Sequence, residues 1–373
     1  MIKVPRVLDR AGIDRLIGLL SGRGFTVLGP TVRNGAIVVD EIGGTDDLPV
    51  GVGDEQAPGS YRLVERLDDA LFGYVVGPAS PKVMLHPPEV VLWSGSRADG
   101  SFEADERPAP PRYAFFGVRP CELAAVAIQD KVFLGNGRRD PVYGSRRDGS
   151  FFVVVNCVEP GGTCFCDSMG TGPRAESGYD VALTEVMAGG RHYFLAESGS
   201  EDGSAVLEEA GGRDATEAEV AEVGALLSVA AGKMGRELQM EGLKEVLAAA
   251  LESPHWDEVA ERCLTCANCT LVCPTCFCAT VEDVTDLAGT EAQRVRRWDS
   301  CFNEEFSYIH GGPLRPSPYA RYRQWLTHKL GTWQDQFGTP GCVGCGRCIT
   351  WCPVGIDITV EAAAIRAKEV AGV

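Results

Sequence analysis

Apolar residues between Val7 and Leu20 recur at helical intervals, at Leu8, Ile13, Leu16, Ile17 and Leu20, and Gly22 and Gly24 follow as stops. This predicts an amphipathic helix at the start of the chain. Short apolar runs at Phe25–Leu28, Ala36–Val39 and Val90–Trp93 have strand length, and Tyr113–Val118 and Phe151–Val155 are more compact runs of the same kind. Residues 40–60 and 94–112 are rich in Gly, Pro, Asp and Ser and read as loops. Residues 196–216 are acidic and Gly-rich and read as a solvated loop. Ala, Leu and Glu at helical spacing over 217–251 predict two connecting helices. Further helices are expected from Tyr319 to Gln336 and from Val360 to Val370. The whole reads as an α+β protein in three parts: a mixed α/β scaffold over 1–215, a helical connector over 216–252 and a mostly helical part over 253–373.

Composition and charge narrow the class. The 373 residues are 45% hydrophobic, enough for more than one core. The net charge is −17, and it is uneven: residues 254–373 hold 14 acids and 11 bases, residues 1–253 hold 38 acids and 24 bases. A surface this acidic disfavours nucleic acid and anionic membrane as partners. No apolar run approaches the length of a membrane span, and the chain opens Met-Ile-Lys-Val without a secretory segment. A cytoplasmic protein is expected. Fifteen cysteines in a reducing compartment argue for metal ligation over cross-linking.

Those cysteines carry the chemistry. Cys263, Cys266, Cys269 and Cys273 are spaced C-x2-C-x2-C-x3-C and followed by Pro274; Cys342, Cys345, Cys348 and Cys352 repeat the spacing, followed by Pro353. This is the pattern by which a chain wraps two 4Fe–4S clusters, three thiolates curling round one and the fourth reaching the other. The proline has no N–H and a fixed φ, so the loop winds no further. The spacing predicts one cluster on Cys263, Cys266, Cys269 and Cys352, and a second on Cys342, Cys345, Cys348 and Cys273. Zinc sites use separated C-x2-C knuckles, often with His, and fit poorly. Cys269, Cys273 and Cys276 also read C-x3-C-x2-C, the spacing of a radical S-adenosylmethionine cluster, but that reading uses up two ferredoxin-type ligands and lacks a repeating β/α pattern.

A second group lies further upstream. Cys121 follows one compact strand and Cys157 the next, so parallel neighbouring strands would bring both to one sheet edge. Cys164 and Cys166 follow in a Gly-rich stretch able to fold back. Four meeting thiols would bind a third cluster or zinc; otherwise they are inert buried cysteines. Cys276, Cys278 and Cys301 are expected to be buried free thiols packed near the clusters.

Thr265, Asn268, Thr275 and Thr350 lie among the ligands as candidate donors to sulfur, and Trp351 and Phe277 as candidate water-excluding rings. Ordinary packing is the simpler expectation for each. Arg294, Arg296 and Arg297 read as a solvated helix face or as a patch that offsets cluster charge. The histidines at 86, 192, 255, 310 and 328 make no pair with ligand or catalytic spacing. No Gly-x-Gly-x-x-Gly follows a strand, and no nucleophile–base set stands out. The chain is therefore expected to carry electrons for an active site elsewhere, with no substrate site of its own. A redox-inactive metal-binding adaptor is the competing class.

The chain resembles the iron–sulfur β subunit of cytosolic NiFe hydrogenases of the sulfhydrogenase type, relatives of the A subunit of anaerobic sulfite reductase. The resemblance rests on Phe116-Gly-Val-Arg-Pro-Cys121-Glu-Leu, Asn156-Cys157, Thr163-Cys-Phe-Cys166-Asp-Ser-Met-Gly-Thr-Gly and Gly178-Tyr-Asp-Val-Ala-Leu-Thr184. It continues through Arg262-Cys-Leu-Thr-Cys266, Cys273-Pro-Thr-Cys-Phe-Cys278, Trp298-Asp-Ser-Cys301-Phe, Phe306-Ser-Tyr-Ile-His-Gly-Gly312 and Tyr322-Arg-Gln-Trp-Leu-Thr-His-Lys329, and ends at Gly344–Asp357. It implies a relay between a flavin subunit that oxidises NAD(P)H and the small subunit of a NiFe hydrogenase, with the large subunit beyond. The strings after residue 260 look more like the hydrogenase branch; the sulfite reductase branch is the alternative.

Overall fold

The structure is a computed structural model that describes residues 4–98, 101–105, 109–135 and 137–371. Its centre is a mixed sheet of eight strands in the order Arg213–Asp214, Arg6–Leu8, Arg191–Ser198, Val181–Ala188, Phe151–Val155, Tyr113–Val118, Thr26–Arg33 and Ala36–Glu41. Thr26–Arg33, Tyr113–Val118, Phe151–Val155 and Val181–Ala188 run parallel; the flanking strands pair antiparallel.

All five residues of Phe151–Val155 are buried, because both sheet faces are covered. Successive side chains point to opposite faces. Phe151, Val153 and Val155 pack with Leu16, Ile17 and Leu20 of helix Arg10–Gly22 and with Val206 and Leu207 of helix Glu201–Ala210. Phe152 and Val154 pack with Leu123 and Val126 of helix Pro120–Phe133 on the other face. That helix lies in the crossover from Tyr113–Val118 to Phe151–Val155, the arrangement the two compact runs predicted.

Several local expectations are corrected. The first helix begins at Arg10, where Asp9 caps it by accepting from the Gly12 amide at 2.8 Å; Val7 and Leu8 instead pair with Leu195 and Phe194 as an inner strand. Within 40–60, Val52–Ala57 is a strand, turned back at Gly59 onto Ser60–Glu65. Within 196–216, Ser200 caps the helix Glu201–Ala210, which buries Val206, Leu207 and Ala210. The connector has its two helices, Glu217–Ala231 and Leu243–Ala249.

The C-terminal part mixes helix with strand. Helix Pro318–Thr327 continues through a widened π turn, His328–Thr332, into Trp333–Phe337, and the last helix is Ile358–Ala371. Between them and the first cysteine run, Ala279–Thr285 and Glu291–Trp298 form a hairpin that pairs with Glu89–Ala98, itself paired to Ser101–Ala104. The stretch 94–112 read as loop therefore supplies strand, and this four-stranded sheet draws on both sides of the boundary expected near residue 253. No helix among the described residues is long and apolar enough to cross a membrane.

Candidate metal centre

The two cysteine runs have the same backbone. In the first, Thr265 and Ala267 take φ of +49° and +64°; in the second, Gly344 and Gly346 stand at the corresponding places with φ of +65° and +76°. These left-handed residues turn amide groups inward, the geometry that cradles anions. The amide of Thr265 donates to Cys263 Sγ, and that of Gly344 to Cys342 Sγ, each at 3.4 Å. Two non-glycine residues held in this conformation are strained, and such strain gathers at functional sites.

Glycine is needed in the second run for a further reason. A Cβ on Gly344 would lie 2.5 Å from the Phe165 oxygen, and one on Gly346 2.4 Å from Thr163 Oγ1. The second run is pressed against the strip Thr163–Cys166, whose Phe165 amide donates to the Gly344 oxygen at 2.8 Å.

Cys263, Cys266, Cys269 and Cys352 line one surface cleft, walled by Phe302, Tyr322, Trp325 and Ile356. Crossed pairing expects these four together and assigns Cys348 to the other site. Cys348 reaches the same wall. Cys266 is exposed, so the cleft opens to the surface. Burial pushes the Cys269 thiol well up, and the thiols of Cys263, Cys352 and Cys266 push it further. Burial raises the Cys263 thiol too, so Cys263 and Cys269 stay protonated until cations compensate, and ligation releases those protons. Soft thiolates, congruent loops and an open cleft fit iron–sulfur clusters.

Cys273 has Cys342, Cys345 and Cys348 as electrostatic neighbours, and Cys269 of its own run as well. Lys329 Nζ, buried in the π turn, donates to Cys273 Sγ at 3.2 Å, to Thr275 Oγ1 at 3.1 Å and to the Gly341 oxygen at 3.0 Å. Burial opposes its charge, but Cys273, Cys276 and Cys342 outweigh it and raise the ammonium well above its ordinary value. A hydrogen bond from Cys276, acting against burial and aided by the charges of Lys329 and Lys82, holds the Cys273 thiol low. Lys82 Nζ donates to the Leu271 oxygen at 3.0 Å and sits 3.8 Å from the Trp298 ring centre; burial lowers it to about 8.

Cys121, Cys157, Cys164 and Cys166 are all buried. Cys121, Cys164 and Cys166 pack in one cluster with Cys345 of the second run. Cys276, Cys278 and Cys301 are half-buried, not buried as expected. Cys276 is the hydrogen-bonding neighbour of Cys273, and Cys278 of Cys301, all four as free thiols.

The candidate tuning residues divide. The Thr275 hydroxyl lies 3.1 Å from Cys273 Sγ and donates to the Gly341 oxygen at 2.6 Å. Thr265 reaches sulfur through its amide. Asn268 donates to the Trp351 oxygen. Thr350 donates to Gln56 Oε1 at 2.9 Å and lies 2.8 Å from Thr163 Oγ1, away from the ligands. Trp351 packs on Tyr61 with ring centres 5.0 Å apart, and Phe277 sits edge-on to Trp333. The arginine patch lies on a strand, correcting the helix-face reading: Arg294 pairs with Asp283, buried Arg296 with Asp140, and Arg297 with Glu89 and Glu282. Sequence reasoning missed Lys329 and Arg347. Arg347 is 1% exposed, pairs with Glu122, and donates to the oxygens of Gly77 at 2.7 Å and Ala79 at 2.9 Å.

Residues 262–356 match the 4Fe–4S dicluster domain family, a span holding both runs. The chain is 36% identical over 303 residues to the sulfhydrogenase 2 subunit beta of Pyrococcus furiosus, covering 80% of this chain and 86% of that one. Iron–sulfur electron transfer is the chemistry this match supports. The chain belongs to the family of sulfhydrogenase β subunits, with a 4Fe–4S dicluster domain in its C-terminal part.

Proposed function

We propose that this chain is the electron-relaying iron–sulfur subunit of a cytoplasmic NiFe hydrogenase complex. It stands between a flavin subunit that oxidises NAD(P)H and the hydrogenase small subunit, with the large subunit beyond. Cys263, Cys266, Cys269 and Cys352 hold one 4Fe–4S cluster; Cys342, Cys345, Cys348 and Cys273 hold the other. The two clusters supply one-electron transfer. The protein's own residues do the rest. Phe302, Tyr322 and Trp325 exclude water from the first site. Lys329 offsets thiolate charge at the second. Residues 1–215 form a scaffold, 216–252 a connector and 253–373 the cluster-bearing part.

The observation that supports this reading is one surface cleft where Cys263, Cys266 and Cys269 of the first run meet Cys348 and Cys352 of the second, exposed at Cys266, beside buried Cys273 and Cys345. A wire with one open end suits hand-over to a partner. The test is to purify the native assembly, identify its subunits and assay it. H2-dependent reduction of NAD(P)+ that is lost in Cys345→Ser, while the partners still co-purify, supports the assignment. Sulfite-dependent oxidation of NAD(P)H would move the chain to the sulfite reductase branch.

A further inference from the structure

The dicluster match begins at residue 262 and leaves Cys121, Cys157, Cys164 and Cys166 without a role. Cys121 lies three residues beyond strand Tyr113–Val118, and Cys157 two beyond its parallel neighbour Phe151–Val155. Both therefore emerge at the C-terminal edge of parallel strands, where such sheets hold their ligands. The loop after Cys157 doubles back over this edge. The Cys157 amide donates to the Pro173 oxygen, and the Thr171 amide to the Cys166 oxygen, both at 3.0 Å. Gly172 packs so closely that a Cβ there would meet Cys166 Sγ at 2.9 Å.

The four thiols are dry, and Cys121, Cys164 and Cys166 share one packed cluster. Relative exposures are 5%, 7%, 4% and 5% for Cys121, Cys157, Cys164 and Cys166. Cys157 acts electrostatically on each of the other three. One buried free thiol is ordinary; four from three separate segments are not. Two buried guanidinium groups flank them. Arg119 lies beside Cys157, and Arg347 beside Cys345 and Cys121. Each keeps a buried N–H without a partner, Nε of Arg119 and Nη1 of Arg347. These donors are open to a negatively charged group in addition to Glu122, which already pairs with Arg347.

We propose that Cys121, Cys157, Cys164 and Cys166 hold a third 4Fe–4S cluster. It shares a wall with the second dicluster site: Cys164 Sγ lies 4.0 Å from the Cys345 oxygen, and the Gly344–Gly346 backbone rests on Thr163–Cys166. One electron passes between the two sites, reducing one as it oxidises the other, with no bond made or broken. The relay then extends from the open cleft at Cys266, past Cys345, into the parallel sheet.

The test is iron and acid-labile sulfide per chain, with Mössbauer spectra, on the full chain purified anaerobically. About twelve irons are expected, four per cluster. The Cys164→Ser/Cys166→Ser double variant should keep about eight, lose about a third of the Mössbauer area and leave the dicluster EPR signals unchanged. About eight irons in the unaltered chain, one zinc per chain, or about twelve irons retained in the double variant would overturn the proposal. If the double variant does not fold, the count on the unaltered chain decides. A chain without iron would remove the C-terminal clusters as well; a chain with about eight removes only the third.

Discussion

Lys329 Nζ lies 3.2 Å from Cys273 Sγ, a buried ammonium against a predicted cluster ligand. A fixed positive charge beside a cluster favours its reduced, more negative state. A unit charge about 6 Å away at an effective dielectric of about 20 is worth about 3 kcal/mol, on the order of 100 mV for one electron. Lys329→Met should lower the potential of the cluster on Cys273 by that order, and Lys329→Arg should restore much of it. An EPR-monitored redox titration reads this directly; unchanged potentials in Lys329→Met would remove the tuning role.

The matched loops predict opposite outcomes for similar small substitutions. Gly346→Ala puts a Cβ into Thr163 and a side chain at φ of +76°. The conformation costs about 1–2 kcal/mol and the overlap about 1–3 kcal/mol. Ala267→Gly relieves the same conformation in the first run, where the backbone is already at +64°. Chemical denaturation of the anaerobic protein should show Gly346→Ala strongly destabilised and Ala267→Gly unchanged or slightly stabilised. Equal stability for the two variants would contradict the shared geometry.

Arg347 joins the second run to the start of helix Pro120–Phe133 through Glu122, which also accepts from the Arg119 amide at 2.9 Å. Removing one member of a buried pair costs about 3–5 kcal/mol, because the partner stays charged and dry. Arg347→Met should cost about that much, and Arg347→Met/Glu122→Gln should recover part of it. A double-mutant cycle with no coupling would mean that the pair does not bridge the two segments.

His86 gives the fold a pH dependence. Its ring is buried between Phe133 and Trp298, and neither nitrogen has a hydrogen-bond partner. Burial, aided by Arg296 and Lys82, lowers it to about 3. The unfolded chain takes up a proton near pH 6.5 that the folded chain refuses, so stability falls as pH drops from about 6.5 toward 3, by up to about 1.4 kcal/mol per unit. His86→Leu should flatten that slope in denaturant titrations across this range. A slope unchanged by the substitution would show that His86 is not its source.

What could be read from the sequence, and what could not, follows from where each signal resides. Phe151–Val155 announced itself because a doubly covered strand is apolar throughout. The cysteine runs did so because iron demands one ligand type at fixed spacing. The hairpin 279–298 was hidden because most of its first strand is exposed, and its register is held by pairs such as Arg294–Asp283 instead of apolar alternation. The helix Glu201–Ala210 was masked by its acids and Gly203, although Ser200 was its start signal. Lys329 and Arg347 gave no local sign, since their partners lie 56 and 225 residues away.

The central claim is that the C-terminal cysteines hold two clusters by exchanging their fourth ligands. EPR of the anaerobically purified, dithionite-reduced chain tests it most directly. Cys263→Ser and Cys352→Ser should alter the same cluster signal and leave the other intact. A chain with no reducible iron–sulfur signal, or a Cys352→Ser variant that alters the cluster lost in Cys345→Ser, would contradict it.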